Sequence, residues 1–180
     1  MRRIRSLLVI AFALSLGAGG SALANNWGPF GVRGGFSADG KDNGAKLYEA
    51  FGAYQLPWSL RNKAGWGVST EVAFTAGALD GGGPVAFVGS LGPAFGIGNP
   101  KFPLELDLGV SFAVISRDSF GLRDYNGLEQ FISHAGLIYR FTPSLGLSYR
   151  FQHMSNAGLN GDVNPGLNMH LFGINWYPGD

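Results

Sequence analysis

Hydrophobic and polar residues alternate along almost the whole of the chain after its first two dozen positions. Phe30, Val32 and Phe36 share one parity, with Gly31, Arg33 and Gly35 on the other. Tyr48, Ala50, Gly52, Tyr54, Leu56 and Trp58 form a second set, and Trp66, Val68, Val72, Phe74 and Ala76 a third. Val85, Phe87, Leu91, Phe95 and Ile97 follow. The fifth segment sets Leu104, Leu106, Leu108, Val110, Phe112 and Val114 against Glu105, Asp107, Gly109, Ser111 and Ala113. A sixth runs from Gln130 to Phe141, where Ile132 and Ile138 interrupt the polar parity. Leu145, Leu147, Tyr149 and Phe151 mark the seventh, and Phe172, Ile174 and Trp176 the eighth. Residues two apart share a face of a strand, so each segment predicts a strand with one greasy face.

Repeated strands of this kind, separated by turn residues, are the signature of a small membrane barrel. The expected fold is all-β: an eight-stranded antiparallel transmembrane β-barrel. Short turns near Leu60–Lys63, Gly98–Lys101 and Thr142–Pro143 alternate with longer loops near Asp39–Gly44, Leu79–Gly83, Arg117–Glu129 and Gly158–Leu167. Short periplasmic turns and longer extracellular loops are the usual asymmetry. The polar parity holds Arg33, Glu71, Glu105, Asp107, Arg140, Arg150 and Gln152, which a barrel this narrow would pair in its lumen. His134 falls on the same parity and reads as structural. Glu105 and Asp107 are paired carboxylates two apart, read as members of that network rather than as an acid/base couple. Trp27, Trp58, Trp66, Trp176 and Tyr177 are expected at the membrane interfaces.

A soluble lipid-binding barrel would invert the two faces. Composition argues against it. Only 14% of residues are charged, Gly accounts for 30 of 180 positions, and the polar parity is too rich in Gly, Ala and Ser for a solvated surface. The net charge of +1 offers no electrostatic footprint for nucleic acid, and the absence of Cys excludes disulfides and thiolate metal sites. Arg2, Arg3 and Arg5, the apolar run Leu7–Leu16 and the small-x-small triplet Ala22-Leu23-Ala24 predict a signal peptide over 1–24. The barrel domain would then occupy 25–180 and be exported to the outer membrane.

One stretch departs from plain barrel wall. Continuing the seventh strand's parity puts His153 and Ser155 on the greasy face of Tyr149 and Phe151. Asn168 shares the parity of Phe172, Ile174 and Trp176, and so lies on the same face at the same, loop-proximal end. A histidine base, a serine nucleophile and a polar group that orients the ring are the parts of a catalytic triad. Asn156, Ala157, Gly158 and Asn164 could supply oxyanion donors if the loop folds back. His170 has Asn168's parity and reads as an interfacial or headgroup contact, not a metal ligand.

The stretch His153-Met154-Ser155-Asn156-Ala157-Gly158, followed by Asn164-Pro165-Gly166-Leu167-Asn168, resembles the signature of the PagL-type lipid A 3-O-deacylases. The resemblance implies an eight-stranded outer-membrane barrel that removes the ester-linked 3-hydroxyacyl chain at position 3 of lipid A, with neither metal nor cofactor. It implies His153 as base, Ser155 as nucleophile and Asn164 in the oxyanion hole. Its pattern carries Glu where this chain has Asn168, and Asp162, the loop's carboxylate, does not stand at the matching position. The implied partners are lipid A (lipopolysaccharide) and the outer membrane, with a homodimer possible. The alternative is a non-catalytic barrel with a structural or adhesive role.

Overall fold

The computed structural model describes residues 26–40, 44–121, 123–161 and 163–178. The predicted signal peptide and Asp162 lie outside them. The strands are β1 (Trp27–Ser37), β2 (Lys46–Arg61), β3 (Gly67–Asp80), β4 (Ala86–Gly98), β5 (Leu104–Ile115), β6 (Ser119–Phe120), β7 (Arg123–Asp124), β8 (Glu129–Arg140), β9 (Leu145–Ser155) and β10 (Leu167–Trp176). Eight of them close into one antiparallel barrel in the order β1-β10-β9-β8-β5-β4-β3-β2. The short β6 and β7 form a separate hairpin within the loop between β5 and β8.

The alternation becomes an inside and an outside. Val32, Tyr48, Phe87, Val110, Leu137, Leu147, Phe172 and Ile174 are exposed on the outer wall. Such a continuous apolar wall has no place in water, but suits the hydrocarbon core of a bilayer. Ile132 and Ile138 are buried, so β8 keeps its expected register and simply points two isoleucines inward. β2 runs past the expected turn near Leu60, through an irregularity between Gln55 and Ser59 that contains Pro57. Proline cannot donate to a ladder, and a bulge accommodates it. The tight turn itself spans Asn62 to Trp66, where the Asn62 N–H donates to the Trp66 carbonyl at 2.9 Å.

Midway along the lumen, Arg33, Asp107 and Arg150 of the expected network are paired. Arg33 is hydrogen-bonded to Glu49. Asp107 accepts from Arg150 Nη2 at 2.7 Å and lies 3.3 Å from His134 Nε2. Pairing is what allows such charges to be buried.

The lumen also holds apolar side chains. Leu47, Leu79, Ile115, Ile132, Met154, Leu167, Met169 and Leu171 fill its loop-side end as an apolar core. Phe120 and Tyr125 from the β5–β8 loop stack over that core, 4.4 Å between ring centroids. Tyr177 is not an interfacial residue. It follows the outward Trp176, so its side chain turns inward, where the Arg140 guanidinium lies 3.7 Å from its ring centroid. Trp58, Trp66 and Trp176 remain exposed, as a girdle requires. At the turn side the lumen opens into a cavity of about 360 Å³ lined by Arg61, Glu105, Arg140 and Tyr177. The apolar plug therefore separates the loop side from this cavity.

Candidate active site on the outer wall

β9 and β10 pair so that Asn168 is the cross-strand partner of His153. Directly opposed residues on one face bring their side chains within reach. Here the His153 Nδ1 and Asn168 Oδ1 atoms are 2.8 Å apart. An amide oxygen only accepts, so Nδ1 carries the proton and Nε2 keeps its lone pair. Ser155 shares the outer face two residues on, half-buried like His153. Among the described residues, no hydrogen bond joins Ser155 to His153. Catalytic hydrogen bonds often tighten only when substrate is present.

The β9–β10 loop folds back towards this pair. The Asn156 N–H donates to Asn164 Oδ1 at 3.2 Å, which ties the two ends of the loop together. Asn156 itself is fully buried. Its Nδ2 donates to the carbonyls of Tyr125, Asn126 and Val163, and its Oδ1 accepts from the Gly158 N–H at 2.8 Å. The four candidate oxyanion residues are thus brought to one place, but their groups are not equally open. The Asn156 and Gly158 N–H groups are engaged within the loop. Among the described residues, the Ala157 N–H and the Asn164 Nδ2 have no hydrogen-bond partner. Ala157 is held at φ 50°, a left-handed conformation that costs a residue with a Cβ.

Several contributors are not visible as a motif. Gly166, at φ +61°, lies against the imidazole, and a Cβ built there would be 2.8 Å from His153 Cε1. Arg123 Nη1, from β7, donates to the carbonyls of Pro165 at 3.2 Å and Gly166 at 2.9 Å. Asn126 Nδ2 bonds the carbonyls of Asn160 and Val163. The β5–β8 loop therefore braces the β9–β10 loop. The length of the loop expected near Arg117–Glu129, thirteen residues, is the one sequence signal for it, because loops that long are usually functional.

His170 lies two residues beyond Asn168 along β10, and its Nδ1 is 2.9 Å from the Tyr149 hydroxyl. Phe36 and Phe151 flank the ring, with centroids 5.8 and 5.4 Å away. No group of three or more metal-ligating side chains occurs among the described residues.

A closed eight-stranded barrel with an apolar outer wall, carrying a polar His-Asn pair and a serine at its loop-side rim, is an outer-membrane protein. The family model described as PagL, lipid A 3-O-deacylase, matches residues 48–177, and the chain belongs to that family. The matched range contains every candidate site residue. A curated relative, the lipid A deacylase PagL of Bordetella bronchiseptica (strain ATCC BAA-588 / NCTC 13252 / RB50), is 36% identical over 64 residues. That stretch spans 36% of this chain and 35% of the relative, so the match reaches about a third of the relative's length.

Among solved structures, the outer membrane enzyme PagL superposes with a TM-score of 0.72 at 16% identity, covering 82% of this chain and 98% of that one. The N-terminal β-barrel domain of Pseudomonas aeruginosa OprF superposes with a TM-score of 0.53, also at 16% identity, covering 84% and 97%. These two likenesses are likenesses of fold.

Proposed function

We propose that the protein is a lipid A 3-O-deacylase whose reaction takes place on the outer wall of the barrel, with Ser155 as nucleophile and His153 as base. The observation that carries the reading is the 2.8 Å contact between His153 Nδ1 and Asn168 Oδ1 on the lipid-facing side. Polar groups facing lipid are costly. A serine and an oriented histidine at that position serve a substrate whose ester lies at the headgroup boundary. Such a substrate is a membrane lipid: an apolar plug fills the loop-side lumen, and the acyl chains of a lipid stay in the bilayer beside the wall.

The chemistry follows from the tautomer. Nε2 accepts the Ser155 proton as Oγ attacks the ester carbonyl carbon. The carbonyl oxygen becomes an oxyanion, which the Ala157 N–H and Asn164 Nδ2, free of other partners among the described residues, would receive. Collapse of the tetrahedral intermediate breaks the bond to the sugar oxygen, and the imidazolium returns its proton to that oxygen. The acyl chain remains on Ser155 until a water, deprotonated by Nε2, attacks the acyl-enzyme. This releases a free 3-hydroxy fatty acid and restores the serine. Asn156 and Gly158 shape the loop rather than donate to the oxyanion. Asn168 fixes the ring and its tautomer but carries no charge to stabilise imidazolium, so a slower turnover is expected than with a carboxylate there.

The test is to incubate the purified protein in detergent micelles with lipid A and measure the free 3-hydroxy fatty acid released. Release by the wild type, with none from folded Ser155→Ala or His153→Ala, supports the proposal. Equal release by Ser155→Ala would remove the serine from the mechanism. No release by folded wild type would favour the non-catalytic barrel.

A further inference from the structure

His153 is held from two sides. Asn168 fixes its Nδ1 through the 2.8 Å contact. The other restraint is steric: Gly166 lies so close to the ring that even a methyl group there would meet Cε1 at 2.8 Å. Gly166 is therefore the seat of the imidazole, and the position of the ring depends on the position of the Pro165–Gly166 backbone. That backbone belongs to a loop, which could drift. Its two consecutive carbonyls, however, both accept from a single nitrogen of Arg123, at 3.2 and 2.9 Å. Arg123 comes from β7, more than forty residues away in the chain. It is half-buried, and β7 is fixed to the roof of the lumen by its pairing with β6, which carries Phe120.

We propose that Arg123 is a positioning residue for the reaction: it clamps the Pro165–Gly166 turn so that the His153 imidazole is held at the height from which Nε2 reaches Ser155 Oγ. The inference rests on the proposed role of His153 as base. An arginine near the rim could instead serve an anionic lipid headgroup, and the two roles give opposite kinetic signatures. A clamp acts on the base, so its loss lowers kcat and lowers the reactivity of Ser155 towards any electrophile that its Oγ attacks. A headgroup contact acts on binding, so its loss raises KM for the anionic lipid and leaves a small neutral reagent unaffected.

The experiment compares wild type, Arg123→Met, Arg123→Lys and Asn126→Gly, at equal amounts of folded barrel scored by heat-modifiable migration. The Asn126 variant removes other bonds between the same two loops, to Asn160 and Val163, without touching the seat. Each is assayed for kcat and KM on lipid A, for melting temperature, and for the rate at which a small uncharged fluorophosphonate labels Ser155. Because a shift of about 1 Å in a catalytic group costs roughly a hundredfold, Arg123→Met is expected to lose about ten- to a hundredfold in both kcat and labelling rate, with KM within about twofold. Both bonds come from one nitrogen, so an ammonium can replace it and Arg123→Lys should recover most of the loss. Asn126→Gly should melt earlier while keeping its kcat.

A rise in KM with kcat and labelling unchanged would overturn the proposal in favour of headgroup binding. Loss of kcat in step with melting temperature across Arg123→Met and Asn126→Gly, with no recovery in Arg123→Lys, would reduce Arg123 to loop stability. Wild type that deacylates lipid A but is never labelled at Ser155 would instead sink the serine mechanism, and this proposal with it.

Discussion

Replacing Gly166 with alanine should abolish the proposed deacylase activity without unfolding the barrel. The new Cβ would lie 2.8 Å from His153 Cε1. Carbon atoms pack at roughly 3.5–4.0 Å, so the ring or the turn must retreat by about 1 Å. Gly166 also has φ +61°, where a residue with a Cβ costs roughly 1–2 kcal/mol. That backbone term is small beside the stability of a closed barrel, but the displacement acts directly on His153, the proposed base. A 1 Å misplacement corresponds to about a hundredfold in rate, or about 2.7 kcal/mol at the transition state. Gly161→Ala is the matched control. It has φ +107° and nothing within 4 Å of its built Cβ, so it carries a backbone cost without the collision. The assay is kcat for fatty-acid release, with heat-modifiable migration as the folding check. Gly166→Ala should lose about a hundredfold in kcat while Gly161→Ala stays within a few-fold. Equal activity in the two variants would refute the idea that the ring is seated on Gly166.

Asn168→Asp preserves the length of the side chain and adds the missing charge. Hydrogen bonds to charged groups contribute about 1 kcal/mol more than neutral ones, so kcat should rise by about fivefold or more in single-turnover assays. In the lumen, Glu49→Ala would strand the buried Arg33 guanidinium, which also lies 4.3 Å from the Phe51 ring centroid. Breaking such a pair costs about 3–5 kcal/mol, measurable as a lower urea midpoint for unfolding from lipid vesicles. Val110 is exposed midway along β5, so Val110→Arg should destabilise the barrel by about 2–4 kcal/mol in a bilayer, read in the same urea titration.

Much of the fold could be read from period-two alternation because a membrane barrel has two contrasting sides and a strand has two faces. Even β8, whose Ile132 and Ile138 break the pattern, adopts the expected register. The alternation could not reveal the apolar plug. Leu47, Leu79 and Met169 are inward residues that look like pattern breaks until the roof formed by Phe120 and Tyr125 explains what they pack against. Tyr177 departs from the expected girdle for a simpler reason: consecutive residues of an extended chain do not share a face, so it and Trp176 cannot both point outward. At the site, parity alone brought His153, Ser155 and Asn168 to one face, because strands fix direction. Which N–H groups stay open in the loop depends on turns and on side chains from another loop. Asn156 shows the limit. It stands beside the serine in sequence, yet its amide is spent on Tyr125, Asn126, Val163 and Gly158. Arg123 had no local signal, because its partners lie 42 and 43 residues away.

The most direct test of the whole account is the mass spectrum of lipid A from outer membranes containing the wild-type protein or Ser155→Ala, in a Gram-negative host whose lipid A carries an ester-linked 3-hydroxyacyl chain at position 3. The wild type should shift lipid A down by the mass of that one chain, and folded Ser155→Ala should leave it at full mass. Full-mass lipid A beside folded, correctly inserted wild type would contradict deacylation at position 3, and the same loss beside Ser155→Ala would contradict Ser155 as nucleophile.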